Sequence, residues 1–307
     1  MKHVVSVSLG SSRRDHQTDV AIMQENIQIS RQGTDGDMVR AKDLIESLDG
    51  HVDAIGLGGI DRYLVVKDRR YEIQDAKALA GAAKITPVVD GSGLKAVWEP
   101  YVIRQLVARG VLEPAQKVLL VSALDRFGMA QAFYEMGFAT VAGDLIFSSH
   151  IDYPIASVEE LEEFARKLLP DMTKMPFAML YPTGSAQDQA PVENSYGKYF
   201  EQADVIAGDF HFIRRYLPAS LRGKIMVTNT TTAADRELLQ CRGLKTLVTT
   251  TPVLDGRSFG TNVIEAALVA RSGTLPDDPQ WDRVVMQAGL QWDVRVLNSL
   301  PDSGKGD

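Results

Sequence analysis

The chain has 307 residues, is 45% hydrophobic and 24% charged, and carries a formal net charge of −7 with one cysteine, Cys241. These figures fit an ordinary globular protein with enough apolar material for one large or two medium cores. They exclude an intramolecular disulfide and a cysteine-based zinc cluster, and they disfavour a general nucleic-acid surface.

Met1-Lys2-His3 leads at once into the strand pattern of Val4, Val5 and Val7, without the apolar core of a secretory signal. No run approaches the roughly 18 apolar residues that span a bilayer. The expectation is a cytoplasmic protein whose partner is a small molecule, with neither membrane nor nucleic acid involved.

The first third reads as strand 4–9, a helix from about Gln17, strand 27–30, helix 38–48 and strand 54–57. Val39, Leu44, Ile45 and Leu48 recur at helical spacing before the Asp49-Gly50 stop. A hairpin is expected from runs 63–66 and 70–73 around Lys67-Asp68-Arg69. A helix near 75–83, a strand at 86–89 and a long helix 94–108 follow, and Gly110 stops the last.

Residues 111–116, with Pro114, mark the expected boundary between an N-terminal substrate domain, 1–113, and a C-terminal domain, 114–298. The second domain restarts with strand 118–121, a helix to Met136, the Gly137 stop and strand 140–142. Ser157-Val158-Glu159-Glu160 has the form of a capping box for a helix to Leu169. Strands are expected at 177–180, 205–207, 225–228 and 246–249, and helices at 233–241 and 262–270. The segment 281–297 carries two tryptophans and can cover its own domain or a partner subunit, with a homodimer as the expected assembly; 299–307 is expected to fray. The fold class is α/β, two Rossmann-like parallel-sheet domains with a ligand cleft between them.

Five polar loops follow strands in this pattern, and in an open α/β sheet such loops gather where small ligands bind. In Gly10-Ser11-Ser12-Arg13-Arg14, amides and the Ser12, Arg13 and Arg14 side chains suit a substrate carboxylate or phosphate. Arg257 in the loop 255–260, after Thr250, is a similar candidate. Asp90 and Lys95 flank a helix start, as a proton relay or a structural pair. His211, beside Asp209, Arg214 and Arg215, is a candidate acid or base. No metal motif is visible.

The segment 117–147 is the most nucleotide-like. Its glycine loop would fall on Ala123, Asp125 and Gly128, retaining only the third glycine, and Asp144 stands where an acid binds a ribose hydroxyl. Asp125, Gly128 and Asp144 are therefore the cofactor-binding candidates.

Gly33-Thr34-Asp35-Gly36-Asp37, Ala54-Ile55-Gly56-Leu57-Gly58-Gly59-Ile60-Asp61, Asp125-Arg126-Phe127-Gly128-Met129-Ala130 and the string 255–262 resemble a bacterial family commonly labelled quinate 5-dehydrogenase. The resemblance implies an NAD- or NADP-dependent oxidoreductase acting on a small anionic cyclic polyol. The Asn-Val-Thr-x-Pro-x-Lys motif of quinate and shikimate dehydrogenases is absent, so Lys95 and Asp90 rest on local chemistry alone. The alternatives are a non-catalytic metabolite-binding or sensor protein of the same architecture, and an S-adenosylmethionine-dependent methyltransferase using Asp144.

Overall fold

Two mixed sheets carry the chain, and the order of their strands decides which loops meet. The computed structural model describes residues 1–180, 196–254 and 257–299, with the side chains at 253–254 and 257–258 outside that description.

The first sheet is built from β1 (Lys2–Ser8), β2 (His16–Ile22), β3 (Glu25–Gly33), α1 (Met38–Leu48) and β4 (Ala54–Gly58). The hairpin β5 (Tyr63–Val66) and β6 (Arg69–Glu72), α2 (Gln74–Ala80), β7 (Val88–Val89) and α3 (Ser92–Ala108) follow. Its order is β2-β3-β1-β4-β7. β1 runs parallel to both β3 and β4, and β2 closes one edge antiparallel to β3.

The second sheet collects β8 (Lys117–Leu120), α4 (Phe127–Glu135), β9 (Ala139–Ala142), α5 (Asp144–Ser149), α6 (Val158–Met172), α7 (Phe177–Leu180) and α8 (Gly197–Gln202). It continues through β10 (Val205–Ala207), α9 (Phe210–Arg215), β11 (Ile225–Thr228), α10 (Ala233–Cys241) and β12 (Thr246–Thr249). The last elements are β13 (Val253–Leu254), β14 (Arg257–Ser258), α11 (Thr261–Ser272), α12 (Trp281–Gln287) and β15 (Asp293–Val296). The order is β15-β12-β11-β10-β8-β9, parallel except for β15. The α/β class and the two sheets agree with the sequence, each sheet carrying one antiparallel edge.

Two expected elements are corrected. Residues from Gln17 form strand β2, in which exposed Gln17, Asp19 and Ala21 alternate with half-buried Thr18 and buried Val20 and Ile22. Residues 177–180 form the one-turn helix α7, since four consecutive apolar residues carry no period of their own.

Helix α11 crosses between the sheets. All its residues from Thr261 to Ala270 are buried, and it lies against β1 and β4 of the first sheet. The approach is so close that a Cβ on Gly56 would stand 2.7 Å from the Asn262 carbonyl oxygen. The C-terminal segment packs on its own body: Trp281 is buried, β15 pairs with β12, and Trp292 meets Trp98 at a tilt and Tyr101 edge-on. Among the described residues, no helix is long and apolar enough to cross a membrane.

Candidate functional site

Ligand crevices in open α/β sheets lie beyond the carboxyl ends of the strands, where the strand order reverses. The first sheet reverses between β1 and β4, the second between β8 and β10. Loops following these four strands face one another across a cavity of about 160 Å³. Arg14 and Asp61 enter it from the first sheet; Arg126, Asp209 and His211 enter from the second.

Its floor is a buried ionic cluster. The Arg126 guanidinium, 1% exposed, donates to the Glu99 carboxylate from helix α3 and to Asp209 Oδ2 at 3.2 Å, and lies 3.5 Å from Asp125. Burying a guanidinium is tolerable only when opposite charge and acceptors surround it. Asp209 also accepts from Asn229 Nδ2 at 2.9 Å and caps α9 through the amides of His211 and Phe212. Burial alone would raise the Asp209 pKa, but Arg126 first, then His211, hold it at about 2. Asp125 is pushed up to about 7 by burial, against the pull of Arg126.

Lys95 pairs with Asp61 at 2.6 Å. Burial works against the ammonium, yet the Asp61 charge keeps its pKa above the ordinary lysine value. Held protonated, it cannot serve as a general base near neutrality. Asp90 is fully engaged: it accepts the amides of Arg62, Tyr63 and Ser92 and the Ser92 hydroxyl. The structural pairing expected of Lys95 is real, but its partner is Asp61.

Two contacts join cavity-lining segments far apart in sequence. Arg14 Nη1 lies 3.1 Å from His211 Nε2, and Asn262 Nδ2 donates to Ser6 Oγ at 2.9 Å. The His16 and Phe259 rings, 5.5 Å apart, form an aromatic wall. Arg31 reaches the same space while donating to Ser8 and Asp15.

The other sequence candidates lie elsewhere. Ser12 donates its amide to Asp35, Arg13 is exposed, and neither lines the cavity. Thr250 is buried behind it, its carbonyl accepting Trp98 Nε1 at 2.7 Å. The Arg257 side chain lies outside the described residues. Gly128 faces helix α3: a Cβ there would stand 2.9 Å from Pro100 Cγ and 3.1 Å from the Ala96 carbonyl oxygen. Its missing side chain serves helix packing and leaves no approach for a pyrophosphate. Asp144 accepts the amides of Ala123 and Leu124, so its carboxylate braces the turn after β8. Burial raises its pKa to about 6 even so.

Sequence reasoning passed over Asp61, Glu99, Arg126, Asn262 and Glu265. Glu99 carried a signal, a lone acid within the apolar run Ala96-Val97-Trp98-Glu99-Pro100-Tyr101-Val102-Ile103. Glu265 accepts the amides of Gly91 and Leu94 and so fixes the start of α3 from the distant helix α11. Among the described residues, no three His, Cys, Asp or Glu side chains gather as metal ligands.

Three solved structures resemble the chain in outline. A Mycobacterium smegmatis protein in complex with beta-D-fucofuranose shares 11% identity at a TM-score of 0.33, covering 90% of this chain and 87% of that one. GanP, a glucose-galactose binding protein from Geobacillus stearothermophilus, shares 9% at 0.39, covering 98% and 99%. A periplasmic ribose ABC transporter from Conexibacter woesei shares 11% at 0.32, covering 93% and 94%. The oxidoreductase, quinate and NAD(P) expectation is corrected on the geometry of the site: Lys95 is held by Asp61, Asp90 by backbone amides, Gly128 packs on helix α3 and Asp144 braces the turn after β8. No curated protein matches in sequence. A family model described as domain of unknown function DUF8753 matches residues 3–90. A second, domain of unknown function DUF8754, matches residues 93–297, two thirds of the sequence, and the chain belongs to that family.

Proposed function

We propose that this protein binds a small anionic metabolite in the cleft, as a binding or sensor protein. The observation that carries the reading is the meeting of Arg14 and His211 at 3.1 Å, one from each sheet's loops, in the wall of one cavity. A carboxylate or phosphate bridging a guanidinium and an imidazole gains charge-assisted hydrogen bonds from both. The polar lining from Ser6, Asn229, Thr232 and Asn262 suits hydroxyl groups on the rest of the molecule.

Binding without chemistry is favoured because the acids and the lysine of the cavity are held by other protein groups. Lys95 is paired with Asp61, Asp90 with backbone amides, and Asp209 with Arg126 and Asn229. Calorimetric titration with small hydroxy-carboxylates, sugar phosphates and their neutral counterparts tests the reading. The expected result is saturable binding of at least one anionic compound and none of its neutral counterpart. Equal binding of both, or no binding of any anion, overturns it.

A further inference from the structure

A second cavity, of about 650 Å³, lies between α5, α6, α7 and the turn after β8. That volume is within the range of about 300–1,000 Å³ usual for ligand sites. Its walls are apolar, with Leu145, Phe164, Leu168, Met172, Met175 and Met179 in the lining. Met175 and Met179 are themselves exposed, at 37% and 69%, together with Ile151 at 53%, so apolar surface continues to the mouth. Methionine is unbranched and polarizable, and its side chain adapts to apolar guests of differing shape.

Among the polar groups of this lining, two atoms stand out. Ser122 Oγ and Asp125 Oδ1 are both buried, and neither has a hydrogen-bond partner among the described residues. The Ser122 residue is 5% exposed and the Asp125 side chain 7%. A buried polar atom left without a partner is costly, and a ligand group that supplies the missing bond recovers that cost. A hydroxyl group both donates and accepts, which matches a carboxyl oxygen beside a serine hydroxyl. The neighbouring Asp144 carboxylate is already engaged by the Ala123 and Leu124 amides.

We infer that this cavity is a binding site for an aliphatic molecule that ends in a hydroxyl group, seated with the hydroxyl at Ser122 and Asp125 and the chain along the methionines of α6 and α7. The site is separate from the anion-binding cleft, although Asp61 and Phe177 line both cavities. Its support does not depend on Arg14 or His211.

Titration of the full chain, labelled with [¹³C-methyl]methionine, with straight-chain primary alcohols from butanol to decanol tests the assignment. The resonances of Met172, Met175 and Met179 are expected to shift saturably, while Met226 in the second-sheet core stays fixed. Affinity should rise about fourfold per added methylene until the cavity is filled. The matching methyl ethers, which cannot donate, should bind about fivefold more weakly, and Ser122→Ala should erase part of that difference. Leu168→Trp, at a half-buried wall position, should fill the space and abolish the shifts. Shifts spread over all methionines, ethers binding as well as alcohols, or unchanged binding in Leu168→Trp would each overturn the assignment. Anion binding measured by calorimetry stands or falls independently of these outcomes.

Discussion

The Arg126 guanidinium and the Asp209 carboxylate meet at 3.2 Å across the point where the second sheet reverses its strand order, with the Arg126 side chain almost wholly out of solvent. Through Glu99, the same guanidinium also ties in helix α3. One side chain thus links three elements that form the cleft floor. Arg126→Met leaves the Glu99 carboxylate buried without its counter-ion, and the expected loss is about 3–5 kcal/mol of unfolding free energy in urea. Glu99→Leu combined with Arg126→Met should recover part of it, because a buried ion pair replaced on both sides is much less costly than one broken on one side.

Asp209 makes the stability depend on acid. Its folded pKa of about 2 lies below the ordinary 3.8, so its stabilisation is nearly complete above about pH 4.5 and disappears as the pH falls toward 2. The linked contribution is about 2 kcal/mol. The difference in unfolding free energy between the wild type and Asp209→Asn should therefore shrink as the pH falls below about 4.5. A difference that grows on acidification would contradict the assigned pairing. Asp144, whose raised pKa acts in the opposite sense at higher pH, cancels in the difference between the two proteins, whereas Asp125 is pushed up partly by the Asp209 charge, so the comparison is read below about pH 4.5.

Much of the second sheet was legible because its strands are short apolar runs and the helices between them are stopped by glycines, as at Gly137 after α4 and Gly243 after α10. The β2–β3 hairpin was not. Its turn is Met23-Gln24, with φ of 50° and 65°, a left-handed conformation usually announced by Asn-Gly. Without that cue, residues 17–22 read as a helix start. The cleft was legible as a set of strand-end loops, but the identity of its working residues was not. Sequence spacing cannot reveal that Asp61 faces Lys95 from 34 residues away, or that the Asn262 and Glu265 side chains return to the first sheet and to α3. Gly128 was misread for a related reason: a glycine needed for helix packing and one needed for a phosphate leave the same mark in a sequence.

The packing role of Gly128 gives a direct test. A methyl group there meets Pro100 and the Ala96 carbonyl at 2.9 and 3.1 Å, and the backbone carbonyl of a helix cannot move aside freely. Gly128→Ala should cost about 1–3 kcal/mol in stability by overpacking α4 against α3. It should leave the affinity for any cleft ligand unchanged at temperatures where the variant is folded. A large loss of affinity with intact stability would instead return Gly128 to a ligand-facing role.

The two arginines of the first loop, adjacent in sequence, separate the cleft reading from a general electrostatic one. Arg13 is exposed and outside the cavity, whereas Arg14 lines it and reaches His211. A ligand held by long-range attraction alone would weaken similarly in Arg13→Ala and Arg14→Ala, and both losses would vanish at high salt. A ligand bridging Arg14 and His211 should weaken about tenfold or more in Arg14→Ala and less than twofold in Arg13→Ala. His211→Ala should also weaken it, and the double variant should lose less than the sum of the single losses, since both groups hold the same anion. Strict additivity in that cycle would mean that Arg14 and His211 touch different parts of the ligand, placing its negative group elsewhere in the cavity.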